Sequence, residues 1–485
     1  MTVPSRPSYR GLALAVFQLR PLTPPDQVLD GSNAVLVHIL RHFAELGVRA
    51  TVHHPATVGR SEPFELFPGI RVEPVRPLLT ATDSGSLMAD PISHASAIER
   101  IRETLGRSDR FYVHGGNLPY FGLGGAGPSI HSIHDFCATE SVTSVLNFTG
   151  DRLVAVSEYI AGSLRAALDR VRRIPDGSLR VIPNGFRPAD FSPRDPARLR
   201  ADLGLPTDSV CLLYPHRPIA DKGILAAVRV VHRLRSLLAP DVYARVRLLI
   251  PAWEAPRFGV DAPIVPPLPP EVVAYASELG VAGKLHVHRW IRVAEMAQYY
   301  SLGAATLCVG RYPEAFGNVH VESMMSGTPA IIARAGAHRT SVPEGLVRKV
   351  DPGRDDDVAD HVADVVARAE RVPPEVARYL ADRYSHNAML RGYEQAILDC
   401  EPQPRVGFSD ADPVHAGSVL RVPPWAATLA SGFYHDFTGY CTDEKFLECL
   451  PDIGSGTEVG ALLRRDGIGP GDIASWLDAG LVSAH

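Results

Sequence analysis

The strongest constraint on this chain is an alternation. Short apolar runs of strand length recur between stretches whose apolar residues fall at helical spacing, and they do so in two series. The first series has strands at 12–17, 49–54, 110–114, 130–134, 153–156 and 179–182, with helices at 33–46 and 97–105. Ser32 and Gly47 stand where the first of these helices would be capped and ended. The second opens at 210–214 and continues through helix 224–238, strand 245–250, helix 270–279, strand 285–289, helix 294–302, strand 304–309, helix 317–326 and strands at 330–333 and 346–350. Strands parted by helices of this length pair in parallel through right-handed crossovers. Residues 187–208, with Pro188, Pro193, Pro196 and Pro206, read as the linker between the series. The expected fold is therefore α/β, with two doubly wound Rossmann-like domains at 1–190 and 205–385. Ligands in such sheets lie beyond the carboxyl ends of the strands, so a cleft between the domains is the default site. Helical patterns at 355–370, 374–384 and 387–399 close the second series, whereas 55–95 shows no period.

Charge sets the last stretch apart. The whole chain carries a net charge of −5, but residues 401–485 hold five basic and twelve acidic side chains. That stretch is thus at −7 and the rest of the chain at +2. Neither value suits nucleic acid, whose phosphates demand a surplus of Lys and Arg. With 45 % hydrophobic residues the chain has ample material for a core, so disorder is excluded as well. No window reaches the roughly 18 apolar residues of a membrane span. The run at 12–17 is too short for a signal-peptide core. Six dispersed cysteines, at 137, 211, 308, 400, 441 and 449, form no C-x2-C pair and read as buried thiols of a reducing cytoplasm. A 441–449 disulfide is the alternative. Arg165, Arg170, Arg172 and Arg173 cluster on one stretch, which reads as a solvated helix face rather than a membrane anchor.

Two segments bear chemistry. The first lies at 311–344. The strand at 304–309 ends at Gly310, Glu314 stands in the loop beyond, and Phe316, Gly317, Asn318 and Val319 open a helix that carries Glu322. A helix start after a strand end offers unpaired N–H groups and a positive dipole end, which suits phosphate. Glu322 cannot meet phosphate favourably, but a carboxylate accepts bonds from paired ribose hydroxyls. Glu314 can do the same for a sugar. The bland alternative is an acidic loop and a solvated helix. The second segment lies at 212–223, where a strand leads to Arg217 and Lys222 at a strand-to-helix turn. Lysine is scarce, with Lys284, Lys349 and Lys445 the other three. An Arg–Lys pair can neutralise a diphosphate, each charge-assisted bond contributing roughly 1.5–3 kcal/mol. Ordinary solvated charges are the alternative.

Together these segments resemble glycosyltransferase family 4, the retaining, nucleotide-sugar-dependent transferases of the GT-B fold. The likeness spans about residues 10–400. It includes V-S-E at 156–158, V-I-P-N-G at 181–185, the R-x4-K pair, and E-x7-E at Glu314 and Glu322 with F-G-N-V between them. G-T-P at 327–329, Arg383-Tyr384-Ser385 and Tyr393 complete it, the last as part of helices at 386–400 that cross back to the first domain. The resemblance implies that Arg217 and Lys222 hold the donor diphosphate and stabilise it as it leaves. It implies that Phe316, Gly317, Asn318 and Val319 contact phosphate and sugar through backbone amides. Glu322 would take the ribose, Glu314 the transferred sugar, and Arg289 and Trp290 would lie near the base. Gly31 and Ser32 match a glycine-rich loop facing the donor, where the family often has two glycines and this chain has Asp30-Gly31-Ser32. His134, in I-H-S-I-H-D, matches a histidine facing the donor sugar, with His131 and His114 as competitors. No metal and no cofactor is implied.

The expected activity is transfer of a hexosyl-type sugar from a nucleotide-diphosphate sugar to an acceptor hydroxyl of a small molecule or secondary metabolite. A GT-B sugar-nucleotide epimerase or hydrolase, or a non-catalytic sugar-nucleotide-binding partner, are the alternatives. Residues 415–485 exceed the usual family length and read as a small, mainly helical unit of helix-turn-helix or winged-helix type. Either a peptide, carrier or second-subunit contact or a structural cap is the expectation for it.

Overall fold

The computed structural model describes residues 9–18, 21–22, 31–56, 62–75, 91–115, 127–168, 171, 177–252, 268–402 and 413–485. Two parallel sheets carry it. The first is built from β1 (Ala13–Gln18), β2 (Arg49–Pro55), β3 (Phe64–Phe67), β4 (Ile70–Val75), β5 (Arg110–His114), β6 (Ser129–Ile133), β7 (Arg152–Ala155) and β8 (Leu179–Val181). Its order is β3-β4-β2-β1-β5-β6-β7-β8, and only β3 runs antiparallel to its neighbour. Helices α1 (Gly31–Glu45), α2 (Pro91–Leu105), α3 (Thr139–Leu146) and α4 (Glu158–Leu168) connect these strands. The second sheet, β9 (Val210–Leu213), β10 (Val246–Pro251), β11 (Leu285–His288), β12 (Gly303–Cys308), β13 (Ala330–Ala333) and β14 (Arg348–Val350), has the order β11-β10-β9-β12-β13-β14. All of its pairs are parallel. Its helices are α5 (Ala197–Asp202), α6 (Ile224–Leu237), α7 (Pro240–Arg245), α8 (Pro270–Glu278), α9 (Met296–Leu302), α10 (Asn318–Met325), α11 (Asp355–Ala367) and α12 (Pro374–Arg383).

The strand orders locate a crevice. In each sheet the direction of winding reverses once, between β1 and β5 in the first and between β9 and β12 in the second. Loops leaving adjacent strands at such a point diverge to opposite faces and leave a crevice. Both chemistry-bearing segments of the second domain leave the sheet there, after β9 and after β12.

The two domains share core. One apolar cluster runs from Ile133, Val156 and Ile160 of the first domain to Phe316, Met324 and Val342 of the second. Helix α13 (His386–Tyr393) and the π-helical turn Glu394–Leu398 return to the first domain, where Met389, Tyr393 and Ile397 join the cluster around Val16, Leu40 and Tyr112. His42 bonds Glu394 at 2.9 Å and Tyr9 donates to Asp399 at 2.7 Å across the same seam.

Three sequence expectations change. Part of the unreadable 55–95 stretch is the antiparallel pair β3 and β4, too short and too interrupted by Pro, Gly and Glu to show a period. Ser32 does not cap a helix starting at Asn33; the helix begins at Gly31, and the Ser32 hydroxyl turns to His114. The C-terminal unit carries the expected helices and, beside them, strands that the sequence did not show. It contains two three-stranded antiparallel sheets, β15 (Val419–Arg421) between β19 (Thr457–Glu458) and β20 (Ser483–Ala484), and β16 (Ala426–Leu429), β17 (Gly432–His435) and β18 (Gly439–Tyr440). Helices α14 (Glu444–Ser455), α15 (Val459–Leu462) and α16 (Pro470–Asp478) pack on them around Phe433, Phe446 and Trp476. Strands of two to four residues cannot display an alternating pattern, which is why they escaped the reading. All six cysteines are free thiols.

Candidate active site

The site begins with two glycines. A Cβ on Gly223 (φ 87°) would lie 2.6 Å from the Gly310 nitrogen, and one on Gly310 would lie 2.4 Å from the Asp221 carbonyl oxygen. Neither position tolerates a side chain, so the turn after β9 lies flat against the end of β12. The Tyr312 N–H then donates to the Asp221 carbonyl at 3.0 Å. This contact brings the Lys222 ammonium 2.6 Å from Glu314 Oε1 and 3.5 Å from the centre of the Tyr312 ring. Burial pushes the Glu314 carboxyl up, but Lys222, with His338 and His216 beside it, outweighs that and holds it below the usual carboxylate range. Burial pushes His216 and His338 down to about 4, so both imidazoles are neutral at pH 7.

Gly317 (φ 89°) turns the chain into α10, and no side chain caps this helix start. A Cβ on Gly317 would sit 2.5 Å from His338 Nε2. Phe316 faces the other way, packed edge-on to Tyr384 with centroids 4.9 Å apart, so its side chain is core and its backbone faces the loop. Val319 packs beside it. Asn318 is the meeting point of the domains. Its Oδ1 accepts from Asn184 Nδ2 at 2.9 Å, and a Cβ on Gly31 would lie 2.6 Å from its Nδ2. One turn into α10, Glu322 accepts from the Tyr300 hydroxyl at 2.7 Å. Burial raises its carboxyl to about 7, against a smaller lowering by that hydrogen bond.

A hydrogen-bonded chain lines the first domain's side. Ser32 Oγ meets His114 Nε2 at 3.0 Å, His114 Nδ1 meets the Tyr112 hydroxyl at 2.7 Å, and that hydroxyl meets Ser132 Oγ at 2.8 Å. Ser132 Oγ lies 3.1 Å from His134 Nε2, which also has the Tyr393 hydroxyl at 3.4 Å. The His114 and His134 rings stand 4.1 Å apart. Burial, reinforced by His114 and His131, holds His134 well below the usual imidazole range, so it is neutral. His131 is fully buried inside the sheet, away from solvent. Two further bonds cross the cleft: Tyr312 donates to Asp135 Oδ2 at 2.7 Å, and Ser157 Oγ donates to the Ala315 carbonyl at 2.5 Å while accepting from Ile160 N.

The structure thus gathers Lys222, Glu314, Phe316, Gly317, Asn318, Val319, Glu322 and Gly31 at one place, with Ser32 and His134 joined to each other through the histidine chain. Arg217 lies half-buried on the loop after β9, its carbonyl accepting from the Tyr214 hydroxyl at 3.1 Å. Arg289 and Trp290 stand apart, following the edge strand β11. The Arg289 guanidinium is held by Glu295 at 2.8 Å, and Trp290 is exposed. Of the basic cluster, Arg165 is exposed in the last turn of α4, and Arg170, Arg172 and Arg173 lie outside the described residues. Sequence reasoning missed Tyr312, Asp135, Tyr300 and His338. Tyr312 stands two residues before Glu314 and Asp135 one after His134, but neither position carries a pattern of its own. A cavity of about 450 Å³ lies between Lys349, Arg354 and Ser431. Its cations are already paired, Arg334 with Asp351 at 3.0 Å, Arg354 with Asp357 at 3.2 Å and Lys349 with Glu344 at 3.7 Å. Among the described residues no helix is long and apolar enough to cross a membrane.

The chain has the GT-B fold, with a glycine-tightened, charge-bearing crevice at the second switch point, and its relatives make it a glycosyltransferase. No family model matches the chain. It is similar over 425 residues, at 27 % identity, to a D-inositol 3-phosphate glycosyltransferase of Acidothermus cellulolyticus, covering 80 % of this chain and 91 % of that one. A protein of the same name from Geodermatophilus obscurus is 26 % identical over 431 residues, covering 82 % and 90 %. Among solved structures, the sucrose-phosphate synthase of Thermosynechococcus elongatus superposes with a TM-score of 0.60 at 18 % identity, covering 79 % of this chain and 98 % of that one. The Anabaena protein Alr3699/HepE in complex with UDP and glucose gives 0.57 at 16 % identity, covering 79 % and 98 %.

Proposed function

We propose that the enzyme transfers a sugar, with retention at the anomeric carbon, from a nucleotide-diphosphate sugar to a hydroxyl of a small-molecule acceptor. The observation that carries this reading is the Lys222–Glu314 pair at 2.6 Å, set between β9 and β12 beside the uncapped start of α10. Lys222 and Arg217 hold the diphosphate, and the amides around Gly317 and Asn318 take its oxygens. Glu322 binds the ribose hydroxyls, Glu314 the hydroxyls of the transferred sugar, and Arg289 and Trp290 lie toward the base. Gly31, Ser32 and His134 face the donor from the first domain. Neutral His134 acts by hydrogen bonding rather than by charge.

The acceptor hydroxyl attacks the anomeric carbon on the face from which the diphosphate departs. The carbon–oxygen bond to phosphate breaks as the new glycosidic bond forms, and the hydroxyl proton passes to the departing phosphate oxygen. Catalysis rests on positioning and on the positive charge of Lys222 and Arg217 at the developing anion. No metal is required, and turnover is expected to survive chelation. The relatives' names, which specify an inositol phosphate, support a small hydroxyl-rich acceptor. A panel of UDP-, GDP- and ADP-sugars, followed by the anomeric proton coupling of the product, tests the reading. An α-donor yielding a β-product would refute retention, and consumption of donor without acceptor would favour an epimerase or hydrolase.

A further inference from the structure

The C-terminal unit places one carboxylate where its own fold has no use for it. Asp436, just after β17, is buried with its side chain 0 % exposed. Its four acceptor positions are all filled, and none of the donors belongs to the C-terminal unit. Oδ1 accepts from the Gly336 N–H at 3.1 Å and from the Arg339 guanidinium at 2.6 Å. Oδ2 accepts from the other Arg339 nitrogen at 2.7 Å and from the Tyr159 hydroxyl at 2.9 Å. Gly336 and Arg339 belong to the second domain, and Tyr159 to α4 of the first. A fully satisfied carboxylate at a three-way junction fixes all three partners at once.

The partners matter because of what they support. The turn Gly336–Arg339 lies directly behind Glu314: a Cβ on Gly336 (φ 55°) would fall 2.6 Å from the Pro313 carbonyl carbon and 2.7 Å from the Glu314 nitrogen. The Ala337 N–H donates to the Glu314 carbonyl at 2.8 Å. His338 of the same turn is the side chain against which Gly317 is packed. Tyr159 is two residues from Ser157, which holds the Ala315 carbonyl. Both routes from Asp436 therefore end on the 314–317 loop.

We propose that Asp436 is a positioning residue for the donor site, so that the C-terminal unit is a working part of the transferase and not an independent appendage. This rests on the donor-site reading above for its functional meaning, while the coupling it asserts stands on geometry alone. Asn in place of Asp436 would present a donor to donors, and Tyr159→Phe would remove a single hydroxyl from the junction.

Hydrogen exchange on the full-length protein tests it, read on a peptide covering 312–319, which does not touch Asp436. Asp436→Asn should raise exchange there by about tenfold or more and weaken the tightest-binding of UDP, GDP and ADP several-fold. Tyr159→Phe should do the same to a lesser degree. A merely structural tie would lower the melting temperature and leave 312–319 protected. Unchanged protection in folded Asp436→Asn overturns the proposal; if that variant does not fold, unchanged protection in Tyr159→Phe overturns it. The donor-site reading fails separately, if Lys222→Ala and Glu322→Gln both bind those nucleotides as the unmodified enzyme does.

Discussion

Lys222 Nζ stands 2.6 Å from Glu314 Oε1 although 92 residues separate them in sequence. The pair joins the group assigned to the leaving diphosphate with the group assigned to the transferred sugar, so a change in either is felt by both. Loss of one donor to a developing anion lowers turnover by about 10²–10³. Lys222→Ala should therefore lose about that much under saturating donor. It should also lose stability, because the partly buried Glu314 is left without its cation, at about 1–3 kcal/mol. The double variant Lys222→Ala with Glu314→Gln should recover much of the stability and none of the turnover. Steady-state kinetics beside urea unfolding separates the two effects, and recovery of turnover in the double variant would remove Lys222 from the chemistry.

Glu322 should give nucleotide binding a pH dependence. Its carboxyl, raised to about 7 by burial, loses about tenfold of its ionised fraction per pH unit below that value. Only the ionised form accepts from both ribose hydroxyls, so affinity should tighten from pH 6 to pH 8. Stability runs the other way. The folded carboxyl keeps a proton that the unfolded chain, near its ordinary 4.5, has already released. The stabilising contribution is thus complete below about 4.5 and lost as pH rises through about 7. Glu322→Gln should flatten both profiles, measured by calorimetric titration of nucleotide and by urea midpoints at each pH.

Much of this was legible in the chain because the relevant signals are local. The strand-to-helix turns at Lys222 and Gly317 carry their glycines within one or two residues, and the parallel strands are continuous apolar runs. What escaped depends on contacts far apart in sequence. Tyr300 meets Glu322 from a different helix, Asp135 meets Tyr312 across the cleft, and Asp436 meets Arg339 from another domain. A lone Tyr or Asp carries no pattern that announces its partner. The loop residues Arg289 and Trp290 illustrate the converse: their place after a strand was readable, but the hold of Glu295 on the guanidinium was not.

Gly317 separates backbone strain from steric conflict. Its φ of 89° favours glycine, and an added Cβ would also press on buried His338 at 2.5 Å. Gly204, at φ 66°, has nothing within 4 Å of the same position. Alanine at Gly204 should cost only the left-handed backbone, about 1 kcal/mol. Alanine at Gly317 should cost about 2–4 kcal/mol, since strain and overpacking add there. It should also abolish nucleotide binding, because the α10 start must shift. Thermal unfolding of both variants checks the difference; equal costs would mean that His338 gives way freely.

Tyr312→Phe should act on the domains and not on the donor. The ring that carries the Lys222 ammonium at 3.5 Å remains, while the hydroxyl bonded to Asp135 across the cleft is lost. Asp135 keeps the Cys137 N–H at 2.9 Å and, being half-buried, can turn its freed oxygen to water. The net loss is about 1 kcal/mol of closure, roughly a fivefold rise in the open-to-closed ratio. Nucleotide affinity should stay within about twofold of the unmodified enzyme, since Lys222, Glu314 and the α10 start are untouched. Turnover should fall several-fold, because both substrates must be enclosed together. Small-angle scattering of the free enzyme, compared with nucleotide titration, distinguishes this outcome from a direct role. Loss of nucleotide affinity as large as that of Lys222→Ala would instead make Tyr312 part of the donor's own binding surface.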